Sequence, residues 1–156
     1  MARYWLVKTE VDVYPLSQLK RDKVTQWTDV RNYQARNYLR EMAVGDKVFV
    51  YHTNEKPTAI VGVATVSKIA YVDPHQFDSK SEYFDAKATP ESPRWFAPDL
   101  KFSSEFSTPI PLEVLKKEKD LQAMMHFTNG RLSVQPMTSA EYSRIIELSK
   151  KAKRKS

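Results

Sequence analysis

The chain has 156 residues, a size that suits one domain with one core, and its 41% hydrophobic and 28% charged residues match ordinary globular composition. No apolar run approaches the roughly 20 residues of a bilayer span, residues 1–5 lack the pattern of a secretory leader, and the absence of cysteine excludes disulfides and thiolate metal sites. The net charge of +6 and pI near 9.4 suggest an anionic partner, yet Lys150, Lys151, Lys153, Arg154 and Lys155 supply five of the six excess charges, so the body is nearly neutral.

In chain order, Tyr4 to Thr9 is β-prone, and Val13-Tyr14-Pro15-Leu16 reads as a turn or a short helical start. Apolar spacing predicts a helix over 30–42, stopped at Gly45. Two β-branched runs follow, 47–52 and 58–69, separated by a tight connection at Asn54-Glu55-Lys56-Pro57. An irregular aromatic segment with Tyr71, Phe77, Tyr83 and Phe84 leads to a strand over 95–106. Helices are then predicted over 111–116 and 121–125, and a last one carries Tyr142, Ile145, Ile146 and Leu148 behind Thr138 or Ser139 with Glu141. Strands in the middle with helices around them predict an α+β fold on a mostly antiparallel, curved or closed sheet. The domain is expected to span 1–149, with a basic disordered tail over 150–156.

Several chemistries are excluded. Only Gly45, Gly62 and Gly130 occur, too few for a phosphate-binding or dinucleotide loop. His52, His75 and His126 are dispersed, which argues against a zinc centre, and no serine nucleophile elbow is present. Lys8-Thr9-Glu10 holds a base, a nucleophile and an acid, but strand alternation sends Thr9 to the face opposite Lys8 and Glu10.

Four segments combine a ring or planar group with hydrogen-bonding side chains, the inventory for stacking a base and reading its edge. They are residues 5–10, 27–33, 51–54 and, without a ring, 131–136. Read singly, Trp5 and Tyr33 fit a core, His52 a satisfied structural histidine and Asn32 a helix cap; Trp27, among Thr28, Asp29 and Asn32, fits a ligand wall.

Tyr4-Trp5-Leu6-Val7-Lys8-Thr9-Glu10, Val30-Arg31-Asn32-Tyr33-Gln34-Ala35-Arg36-Asn37, Val44-Gly45-Asp46, Tyr51-His52-Thr53-Asn54, Ile60-Val61-Gly62, Pro93-Arg94-Trp95 and Arg131-Leu132-Ser133-Val134-Gln135-Pro136 occur in an order that resembles the EVE domain family up to about Leu148. Val11-Asp12 departs from the proline expected before the aspartate. The resemblance implies a PUA-like fold, a small curved β-barrel with flanking helices, related to domains that read methylated adenine in RNA. It further implies a non-enzymatic, cofactor-free reader that flips 5-methyl- or 5-hydroxymethylcytosine from nucleic acid, DNA rather than RNA, into an aromatic and polar pocket.

Carried onto this chain, the implied ligand-binding residues are Trp27, Asn32, Tyr51, His52, Thr53, Ser133 and Gln135, with Trp5, Lys8, Glu10 and Arg31 beside them. Asn32 or Gln135 would accept from the cytosine amino group. The expected molecule is a monomer without metal or membrane attachment, cytoplasmic, or nuclear in a eukaryote. Two rival expectations are a hydrolase of a modified nucleoside and an RNA-binding or protein-interaction module.

Overall fold

The computed structural model describes residues 2–155. Strand β1 (Tyr4–Thr9) is followed by helix α1 (Leu16–Asp22), a short strand β2 (Val24–Gln26), helix α2 (Tyr33–Glu41), and strands β3 (Lys47–His52) and β4 (Ala59–Val72). Then come the long strand β5 (Phe96–Pro111), short helices α3 (Leu112–Lys117) and α4 (Met125–Thr128), strand β6 (Val134–Met137) and the closing helix α5 (Ser139–Lys155). Among the described residues, no helix is long and apolar enough to cross a membrane.

The six strands form one sheet in the order β2-β5-β4-β3-β1-β6, antiparallel except for the parallel β1–β3 pair. Register shifts along β4 and β5 are bulges, which bend long strands and raise their twist. The ladder is open, with β2 and β6 as its edges, so the expected closed barrel is not completed by strand pairing. Three-residue β2 offers little to pair with, and β6 contains Pro136, which has no N–H to donate.

Alternation along the central strands feeds two cores. Trp5 and Val7 of β1 and Val48 and Val50 of β3 face a cluster completed by Leu16 and Leu19 of α1, Ala35 and Leu39 of α2, and Trp27. Leu6, Phe49 and Tyr51 face the other way, onto Leu115 of α3 and Ile145 and Leu148 of α5. Helices thus cover both faces of the sheet, which is why β1 and β3 read as nearly continuous apolar runs.

Gly62 lets α1 approach the sheet: a Cβ there would lie 2.4 Å from the Ser104 carbonyl oxygen and 2.6 Å from Leu16 Cδ2. Gly45 turns the chain at φ +96°, which a side chain would oppose.

The predicted helix over 30–42 is shorter in the molecule. Asn32 has extended backbone and caps α2 by accepting from the Ala35 N–H at 2.9 Å, so Val30 and Arg31 remain in the preceding loop. The predicted helix over 121–125 is split into a 3₁₀ turn at Lys119–Leu121 and α4. Thr138 and Glu141 cap α5 reciprocally: Thr138 N–H donates to Glu141 Oε1 and Glu141 N–H to Thr138 Oγ1. α5 takes in positions 150–155 of the basic tail, and the side chains from 152 onward lie outside the described residues.

Candidate nucleic-acid interface

A cavity of about 310 Å³ opens at the sheet edge where β2 ends, lined by residues 8–10 at the exit of β1, Val13 and Tyr14 ahead of α1, residues 25–30, and Tyr83. Its walls are held in place by local hydrogen bonds. The Glu10 carbonyl accepts from the Val13 and Tyr14 amides, Thr9 Oγ1 donates to the Tyr14 carbonyl at 2.9 Å, and the Tyr14 hydroxyl donates to Asp22 Oδ2 at 2.7 Å. Burial, with that acidic neighbour, pushes the Tyr14 phenol up to about 12.

Trp27 forms a wall, 8% exposed, edge-on to Tyr14 with ring centroids 5.9 Å apart. Its backbone N–H donates to the Pro98 carbonyl, so the chain beyond β2 stays fastened to β5. The chain's three tryptophans differ in one respect that matters here. The indole N–H of Trp5 donates to Asp46 and that of Trp95 to Asp85. Among the described residues the Trp27 indole N–H has no protein acceptor, and it is not sealed from solvent. Its hydrogen-bonding capacity is unspent.

Opposite lies a polar network that residue spacing gave no reason to expect. Asp29 adopts φ +76°, its N–H donates to Asp73 Oδ2 at 2.8 Å, and its Oδ1 meets His75 Nδ1 at 2.5 Å. His75 N–H donates to Asp73 Oδ1, and Arg31 Nη1 donates to Asp73 Oδ2 at 3.0 Å. The hydrogen bond to Asp29 raises the His75 imidazole above its usual range.

Asp29, Asp73 and His75 bring three potential ligand atoms within 4.8 Å of one another. Both Asp73 oxygens are already committed to N–H donors and a guanidinium adjoins them, an arrangement that suits a scaffold and opposes a cation. Arg31 Nε donates to the Tyr83 carbonyl at 2.9 Å, tying the irregular segment to the cavity wall. Buried Gln76 fastens the same segment, its amide oxygen accepting from the Arg94 and Trp95 N–H groups.

Of the residues singled out in the sequence, Lys8, Glu10 and Trp27 border the cavity and Arg31 braces it from behind. The Lys8 ammonium donates to the Gly130 carbonyl and lies over the Tyr51 ring, and burial lowers it to about 8. With Thr9 bonded to Tyr14 and Lys8 to Gly130, the Lys8-Thr9-Glu10 triplet is not a hydrogen-bonded relay.

The others lie elsewhere. Trp5 is fully buried on Asp46, which also accepts from the Arg3 and Ala43 amides. Tyr51 faces the second core, and its hydroxyl donates to Thr58 Oγ1 at 2.9 Å. His52 Nε2 accepts from the Leu16 N–H, which assigns the proton to Nδ1 beside Glu55. Thr53 bonds the Thr9 carbonyl through its amide. The Ser133 carbonyl accepts from the Lys8 N–H, and the Gln135 amide donates to the Asn129 and Leu132 carbonyls. Asn32 spends its oxygen on the α2 cap. Tyr33, expected in the core, is 51% exposed and stacks on Trp95, because residue 33 begins α2 on its outer side.

Sequence reasoning missed Tyr14, Thr25, Gln26, Asp73, His75 and Tyr83. The one signal for Tyr83 was the density of aromatics in its segment; for Asp73 and His75 there was none, since their partners lie more than 40 positions away.

Residues 3–148 match the family model described as the EVE domain. Thymocyte nuclear protein 1 of Danio rerio is 39% identical over 163 residues, covering 92% of this chain and 71% of that protein. A hypothetical protein from Leishmania major has the same fold at TM-score 0.95 and 42% identity, with 98% of each chain covered. Human THYN1 protein, solved in complex with DNA containing 5-methylcytosine, superposes at TM-score 0.91 with 33% identity, covering 95% of this chain and 98% of that one.

Proposed function

This chain belongs to the EVE domain family, and on that premise we propose that it is a non-catalytic reader that holds a flipped 5-methylcytosine of DNA in the cavity beside Trp27. The observation that carries the reading is the Trp27 wall with its unspent indole N–H. The human relative solved with 5-methylcytosine DNA supports the choice of ligand. We read the open, irregular sheet as a variant of the PUA-like barrel, with α2 packed against both β5 and β6 where strand pairing does not close it.

A cavity of about 310 Å³ lies at the low end of the range for small-molecule sites, a size that suits one base better than an extended ligand. Extruding a base costs a few kcal/mol and stacking returns about 1–3 kcal/mol, so edge hydrogen bonds and backbone contacts supply the remainder. The Trp27 N–H is a donor for a base acceptor, and the carboxylates of Glu10 and Asp29 are acceptors suited to the cytosine amino group. These groups take the role expected of Asn32 and Gln135, neither of which lines the cavity. Val13 and Val30 offer apolar surface for a 5-methyl group, which adds about 1–3 kcal/mol.

The test is a titration of fluorescent duplexes carrying one cytosine, 5-methylcytosine or 5-hydroxymethylcytosine, at fixed salt, with mass spectrometry of the recovered DNA. Preference for the methylated duplex, with the DNA returned unaltered, is the expected result. Equal affinity across the panel overturns the reader assignment, and a mass change in the modified base overturns its non-catalytic character.

A further inference from the structure

We propose that Asp29, oriented by His75, is the residue that separates 5-methylcytosine from thymine. The inference rests on the cavity being a base pocket and adds the group that reads position 4 of the base. The two bases share the 5-methyl group and the same stacking surface, so the face of the Trp27 ring and the valines cannot tell them apart. They differ at one edge: 5-methylcytosine presents an amino donor at position 4 and an acceptor at N3, whereas thymine presents an acceptor at O4 and a donor at N3. A group near position 4 that accepts and cannot donate discriminates between them, and an ionised carboxylate is such a group.

Two carboxylates border the cavity, and the structure treats them differently. Glu10 is exposed, and no hydrogen bond fixes its side chain among the described residues. Asp29 is fixed at every joint. Its N–H is held by Asp73 Oδ2, its Oδ1 by His75 Nδ1, and His75 in turn by Asp73 Oδ1 through its own backbone N–H. Asp73 is 1% exposed and pinned by Arg31, so the brace runs back into the protein interior. The Asp29 backbone sits at φ +76°, a left-handed conformation disfavoured for a residue other than glycine, at the wall of the cavity. With Oδ1 taken, Oδ2 is the atom without a partner among the described residues, on a side chain 28% exposed.

Asp29→Asn turns this geometry into a test. Asparagine tolerates the left-handed backbone, so the loop is kept. The His75 Nδ1–H selects the amide oxygen as its acceptor, which leaves the amide NH₂ in place of Oδ2. A donor now occupies the position of an acceptor: it suits thymine O4 and opposes the 5-methylcytosine amino group. The measurement is competition binding with oligonucleotides carrying 5-methylcytosine, cytosine or thymine opposite an abasic site, so that pairing strength does not enter.

The wild-type protein is expected to prefer 5-methylcytosine to thymine by about tenfold to a hundredfold, and Asp29→Asn to abolish or invert that ratio. His75→Ala, which frees the carboxylate without removing it, is expected to shrink the 5-methylcytosine to thymine ratio while sparing the 5-methylcytosine to cytosine ratio. Adding His75→Ala to Asp29→Asn releases the amide to turn over and returns the ratio toward unity, a response that a merely structural role would not give.

An unchanged ratio in folded Asp29→Asn overturns the inference, as does a wild-type protein that binds thymine and 5-methylcytosine alike. If Asp29→Asn fails to fold, the His75→Ala ratios decide. Loss of wild-type preference between methylated and plain cytosine strikes the reader assignment instead, so the two failures are distinguishable.

Discussion

Residues 27–32 and residues 51–54 look alike as sequence, each an aromatic followed by mostly polar residues at a strand exit, yet the first borders a cavity and the second bonds back into the fold. The difference lies in the rank of the strand they leave. β3 is central, paired with β1 and β4, so its exit is surrounded: Tyr51 bonds Thr58, His52 bonds the Leu16 amide, and Thr53 bonds the Thr9 carbonyl. β2 is an edge strand with a neighbour on one side, and the chain leaving it keeps the Trp27 indole N–H and Asp29 Oδ2 unspent. Polar groups at the central exit are spent within the fold, whereas the edge exit keeps two of them free.

The contrast is open to breakage at both ends. The largest effect is expected from His52→Ala, which strands the buried Leu16 amide. Denaturant unfolding should show a loss of about 2–4 kcal/mol, with base discrimination by the folded protein unchanged. A variant that kept its stability and lost discrimination would reverse the assignment of the two regions.

Next is the acid limb of the central side. His126 packs at a tilt against Tyr51 with centroids 4.7 Å apart, and burial followed by the charges of Lys8 and Lys116 lowers it to about 4. As pH falls from about 6.5 toward 4, the unfolded chain binds a proton that the folded protein refuses, so stability declines, by about 1–3 kcal/mol after allowance for partial exposure. Melting curves across that window should show the decline, and His126→Phe should flatten it.

Trp27→Leu on the open side keeps apolar bulk but removes the platform and the N–H. Affinity for 5-methylcytosine DNA should fall about tenfold to a hundredfold. Tyr51→Phe is the matched control: about 1 kcal/mol of stability lost with the Thr58 hydrogen bond, and no change in DNA affinity.

The smallest effect has the opposite pH sign from that of His126. His75 is raised by its hydrogen bond to Asp29, so its stabilisation is complete below the ordinary imidazole range and fades as pH rises through the elevated folded value. With the ring 44% exposed the slope is shallow, and His75→Gln should remove it.

Much of this architecture was legible in the residues. β1 and β3 fall where the β-prone and β-branched runs placed them, Pro111 stands at the start of α3, and Thr138 with Glu141 makes the anticipated box. The strand over 95–106 continues to Pro111, because β4 runs alongside as a pairing template that local composition does not reveal. β2 and β6 escaped notice, one being three residues long and the other carrying Pro136. The site was half legible. Trp27 was identifiable from its polar surroundings, whereas Asp29 gains its character from Asp73 and His75, contacts set by the path of a loop with no periodicity to read.

A missing methyl group ends up setting the aperture of the cavity from behind. Because residue 62 is glycine, Leu16 can sit almost against β4, and with it the first turn of α1, whose preceding residues Val13 and Tyr14 are one jaw of the opening. The other jaw, Trp27, hangs from β5 through Pro98. Any side chain at 62 would push both jaws at once, the helix through Leu16 and the strand through Ser104. The gape of the pocket is thus tied to a position that does not line it.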